Sequence, residues 1–80
     1  MWSTQNNALT RTFTFPDFRR AFAFMTEVAF AAEAAGHHPE WRNVYNTVTV
    51  RLTTHDAGNT VTDKDHDLAR RMDEIYQHYA

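Results

Sequence analysis

The chain predicts an α+β domain in two layers: a four-stranded antiparallel sheet with helices packed on one face, in the order ββαββα. Three observations lead there. Two segments, Leu9–Phe15 and Val48–Thr54, alternate apolar and polar residues with the period of a half-buried strand. Two others, following Pro16-Asp17 and following Thr62, repeat apolar residues at helical spacing. The connections carry turn chemistry and stay short, which favours antiparallel neighbours over long crossovers. Eighty residues suffice for one domain, spanning residues 1–80, with a thin core.

The elements follow in order. Met1 to Asn7 is polar apart from Trp2 and is available to pair with the next segment as an edge strand. In Leu9–Phe15, the residues Leu9, Phe13 and Phe15 share one face with Arg11, and the threonines share the other. Pro16 suits a first helical turn, and Asp17 complements the positive end of a helix dipole. Phe18, Phe22, Met25, Ala29 and Ala32 then form the expected buried stripe, with Ala21 and Val28 beside it, up to about Ala35. Phe24 and Phe30 fall off that stripe, which leaves two readings: a second packed surface, as in an oligomer, or exposed aromatics. Glu33 sits in the last turn, where a carboxylate opposes the dipole, so another interaction must favour it.

Gly36 is the natural left-handed residue after this helix. Pro39 then rules out further helix and holds His38 in an extended or turn conformation. His37 and His38 therefore occupy a short, stiff corner. Arg42 to Asn46 reads as a short strand, with a turn at Thr47 or its neighbours. In the next strand Val48, Val50 and Leu52 face the core, while Thr49, Arg51, Thr53 and His55 face away. Asp56 to Asn59 is a loop. Thr62 and Asp65 have the spacing of a capping box, and Leu68, Met72, Ile75 and Tyr79 mark one face of the final helix.

Composition excludes several classes. The net charge is −2 and no basic cluster exceeds two residues, so the footprint of direct nucleic-acid binding is missing. There is no cysteine, hence no disulfide, thiolate site or cysteine nucleophile. No apolar run approaches the roughly 20 residues of a membrane span, and no secretory signal is visible; the default is a cytoplasmic protein. The only serine, Ser3, lies in a segment with little structural signal. No His-x-x-x-His pair is present, and adjacent histidines rarely converge on one ion, so no metal is expected.

General acid–base work remains, because the ordinary imidazole titrates near neutrality. His37, His38 and His55 are the candidates. The residues alone leave this reading level with that of plain surface histidines. Asp65 reads as a helix cap, and Trp41 and Tyr45 as packing residues.

The spacing of Glu33, His37-His38-Pro39, Tyr45, His55 and Asp65 resembles the signature of the pterin-4a-carbinolamine dehydratases. So do the words Phe13 to Phe18, His37 to Asn46, Thr54 to Asp56, and Asp65 to Ala69, over about residues 9 to 75. Members of that family usually carry a further N-terminal segment before the position of Trp2. The loop from His55 to Asp65 looks one residue longer than in animal members, which makes Asp63 a rival to Asp65.

The resemblance implies dehydration of a 4a-hydroxytetrahydropterin to quinonoid dihydropterin and water, without a cofactor. His37 and His55 would be the acid–base pair and His38 would bind the pterin. Glu33, Pro39, Trp41 and Asp65 would complete the substrate site, with Glu33 and Asp65 also candidates to hold the imidazoles. It implies a dimer of dimers, formed by sheet pairing and helix packing, and a functional link to an aromatic amino-acid hydroxylase. The alternative it carries is a non-catalytic binding module, since relatives act as a transcriptional dimerisation cofactor or an assembly factor.

Overall fold

A computed structural model describes all 80 residues, Met1–Ala80. The elements are β1 (Ser3–Gln5), β2 (Ala8–Thr14), α1 (Phe18–Ala35), β3 (Glu40–Val44), β4 (Thr47–Leu52) and α2 (Asp63–Tyr76). A single 3₁₀ turn, His55–Ala57, follows β4. The four strands form one antiparallel sheet in the order β1-β2-β4-β3.

Alternation sets the sheet's two faces. Leu9 lies opposite Leu52, and Phe13 opposite Val48, all buried. Thr12 lies opposite Thr49 on the outward face, where no helix covers it. Asn6 and Asn7 both take positive φ, 51° and 64°, as a two-residue hairpin turn demands. They join β1 to β2, so the N-terminal segment is an edge strand. Trp2 packs edge-on against Phe13, with ring centroids 5.8 Å apart, and donates to Asp73 Oδ1 at 2.8 Å.

The strand boundaries differ slightly from expectation. β3 runs from Glu40 to Val44 rather than from Arg42 to Asn46, and the turn falls on Tyr45 and Asn46, beside Thr47. Asn46 fixes that turn: its backbone carbonyl accepts from the Phe15 N–H at 2.9 Å, and its side-chain amide donates to the Phe15 carbonyl at 3.0 Å. β4 ends at Leu52, so His55 sits in the 3₁₀ turn rather than on the strand.

The expected stripe of α1 is corrected by one helical phase. The buried face is Ala21, Phe24, Val28 and Ala32. Phe18 and Phe22, expected inside, are 46% and 55% exposed. Phe24, expected off the stripe, is fully buried and stacks against both Phe13 and Phe15. The helix is apolar on most of its circumference, so the period alone does not select the face that meets the sheet. α2 follows expectation through Leu68, Met72 and Ile75, all buried; its helix stops at Tyr76, and Tyr79 lies beyond its end. The core therefore lies between one sheet face and two helices. No helix is long and apolar enough to cross a membrane.

Candidate functional site

Three chain segments converge at one end of the sheet: the corner after α1, the turn after β4 and the first turn of α2. Asp17 caps the start of α1, accepting from the Arg20 N–H at 2.9 Å. Gly36 ends it with φ 62°. Its own N–H bonds the Glu33 carbonyl, and the His37 N–H bonds the Ala32 carbonyl at 3.1 Å. These bonds fix where the adjacent histidines leave the helix.

His37 Nε2 lies 2.6 Å from Asp65 Oδ1. Asp65 is completely buried and the His37 side chain is 11% exposed. The second oxygen, Asp65 Oδ2, accepts from the Thr54 hydroxyl at 2.7 Å and from the Thr62 N–H at 2.9 Å. Burial pushes the Asp65 pKa up, but the His37 hydrogen bond, the Thr62 N–H, the Thr54 hydroxyl and the imidazole's charge outweigh it. The net direction is down from 3.8, so Asp65 is an ionised, buried acceptor. The capping role expected for Asp65 is present, and the same carboxylate holds His37. Asp63 is exposed and makes neither contact.

His38 forms a second histidine–carboxylate pair, with Nε2 at 2.8 Å from Glu33 Oε1. Both partners are largely exposed, 64% and 81%, so solvent screens the pair. This contact accounts for a carboxylate in the unfavourable last turn of α1. His55 has no carboxylate partner.

The three histidines line one cleft of about 200 Å³, walled otherwise by Gly36, Thr53, Thr54, Asp56 and Lys64. It adjoins a second hollow of about 290 Å³, which shares His38, Thr53 and His55 and adds Glu40, Arg51 and Asn59. No hydrophobic residue lines either hollow. Pro39 and Trp41 do not line this cleft. Trp41 instead faces an apolar groove of about 480 Å³ with Phe22, Met25, Ala29 and Phe30, where Glu33 is the one acidic or basic side chain. That groove is larger, but it lacks the acid–base groups gathered in the histidine cleft. No three His or carboxylate side chains are grouped as a metal site.

Sequence reasoning missed Thr54. A signal was present: it continues the inward parity of Val48, Val50 and Leu52 while carrying a hydroxyl. A polar residue at such a position needs a buried partner, here Asp65.

Fold and site together define a small α+β protein with a histidine-lined cleft backed by a buried carboxylate. The chain belongs to the pterin 4 alpha carbinolamine dehydratase family, whose model matches residues 1–75. An Opitutus terrae protein provisionally named as a pterin-4-alpha-carbinolamine dehydratase is 57% identical over 74 residues, covering 92% of this chain and 76% of its own length. A Bradyrhizobium sp. (strain ORS 278) relative named in the same way is 65% identical over 68 residues, covering 85% and 67%.

Among solved structures, a Brucella melitensis protein described as a transcriptional coactivator/pterin dehydratase superposes with TM-score 0.89 at 47% identity. That match covers 94% of this chain and 81% of the other. A pterin dehydratase-like protein described as a RuBisCO assembly factor of the α-carboxysome shares the fold, with TM-score 0.78 at 19% identity over 95% and 87%.

Proposed function

We propose that this protein dehydrates a 4a-hydroxytetrahydropterin to quinonoid dihydropterin and water. The observation that carries the reading is the convergence of His37, His38 and His55 on one polar cleft, with buried Asp65 behind His37. The reaction breaks the C4a–O bond and forms the N5=C4a double bond. One group protonates the departing oxygen, which leaves as water, and another takes the N5 proton. The two transfers balance, so neither an oxidant nor a cofactor is required.

His37 and His55 carry these transfers in this reading, and His38, steadied by Glu33, orients the ring. The polar walls suit a heterocycle rich in hydrogen-bonding edges. Pro39 and Trp41 belong to the substrate site only if the ring extends past His38. The protein would work in tetrahydropterin recycling, in the cytoplasm, beside an aromatic amino-acid hydroxylase. The exposed apolar face of α1, with Phe22 and Phe30, supports self-association into a tetramer.

That same face favours a second reading, a module that binds another protein and performs no chemistry. Turnover of chemically prepared carbinolamine separates the two. Dehydration above the spontaneous rate supports the enzyme, and no acceleration supports the binding module.

A further inference from the structure

The carboxylate behind His37 is itself held from behind. Thr54 is 6% exposed, and its hydroxyl reaches both Asp65 Oδ2 and Thr62 Oγ1 at 2.7 Å. A hydroxyl has one proton to give. The ionised carboxylate accepts only, so the Thr54 proton points at Asp65 and the Thr62 hydroxyl must donate to Thr54. The chain of donors runs one way, from Thr62 to Thr54 to Asp65.

Backbone hydrogen bonds pin the segment that carries the Thr54 side chain. The Thr54 N–H bonds the Thr60 carbonyl at 3.0 Å, and its own carbonyl accepts from the N–H groups of Ala57 and Asn59 at 3.2 and 3.0 Å. With Oδ2 occupied by Thr54 and the Thr62 N–H, Oδ1 is left for His37.

We infer that Thr54 is a positioning residue: its hydroxyl, backed by that of Thr62, fixes Asp65 so that neutral His37 keeps its proton on Nε2 and offers Nδ1 as its proton-accepting atom. A neutral imidazole has one N–H and one lone pair, and the partner of one nitrogen decides the other. Thr54 also opens the turn that carries His55, so one residue aligns two of the three histidines. The kinetic consequence rests on the dehydratase reading; the tautomer does not.

The test joins nitrogen-15 NMR of the histidine rings with steady-state kinetics, on wild type, Thr54→Val and Thr54→Ser. In alkaline buffer, where an ordinary imidazole is neutral, wild type and Thr54→Ser should show His37 protonated at Nε2 alone. Thr54→Val should show a mixture of tautomers. Its kcat should fall about tenfold, the scale of one lost hydrogen bond, with KM within about twofold, and Thr54→Ser should recover most of the loss.

Wild-type His37 protonated at Nδ1 overturns the assignment without any variant, even should Thr54→Val not fold. A Thr54→Val protein with one tautomer and unchanged kcat overturns it as well. Wild type without any turnover overturns the dehydratase reading instead, and the NMR result then supports or overturns the tautomer by itself.

Discussion

Asp65 serves fold and site at once, so its replacement by alanine separates their scales. Asp65→Ala strands three donors. The Thr62 N–H loses its cap, about 0.5–2 kcal/mol. The Thr54 hydroxyl is left buried without its acceptor, about 1–3 kcal/mol. The His37 Nε2–H loses a charge-assisted bond, but its ring is 11% exposed and water offsets part of that cost. The first two losses sum to about 1.5–5 kcal/mol. An 80-residue domain has about 4–12 kcal/mol in total, at roughly 0.05–0.15 per residue. Asp65→Ala should therefore lower stability by about 1.5–5 kcal/mol, a substantial share of that total.

Asp65→Asn keeps the shape and one acceptor oxygen, so it should lose much less, about 1–2 kcal/mol. Urea melts at neutral pH, extrapolated linearly, measure both. A loss below about 1 kcal/mol for Asp65→Ala would show that the buried network does not support the fold as described.

Stability should also depend on pH in a defined direction. The folded Asp65 pKa lies below 3.8, so its contribution is present above that value and lost as pH falls through the folded pKa. Wild type should lose stability over that acid range, and Asp65→Asn should lack this component of the decline. His38→Ala should raise KM more than it lowers kcat, because the proposed mechanism gives His38 the binding of the ring and not a proton transfer; an unchanged KM argues against it. Activity should survive exhaustive chelation; loss with EDTA, restored by one metal, would replace the acid–base account with a metal-dependent one. Light scattering at micromolar concentration should give a tetramer. A mass near 9.3 kDa would refute self-association, and a stable dimer would leave only one of the two contacts.

The sheet was legible because its inward residues, such as Phe13, Val48, Val50 and Leu52, alternate with threonines. The phase of α1 was not. Alanines and phenylalanines surround most of that helix, and the buried choice is decided by fit: Ala21 and Ala32 allow close approach while Phe24 fills the space over Phe13 and Phe15. The histidine corner was legible from Gly36 and Pro39, which fix the backbone locally. The choice between Asp63 and Asp65 needed the third dimension. The capping geometry turns Asp65 inward to His37 and leaves Asp63 in solvent. Trp41 lies in the apolar groove because its strand position, opposite Val50, faces the helices.

The central claim is that histidines in one cleft dehydrate the carbinolamine. Its most direct test is single-turnover consumption of 4a-hydroxytetrahydropterin by wild type, His37→Ala and His55→Ala, each checked for folding. Wild type should accelerate the reaction, and each variant should lose about 10²–10⁴-fold, the usual range for one general acid or base. Near-normal rates in both variants, or no acceleration by wild type, would contradict that claim.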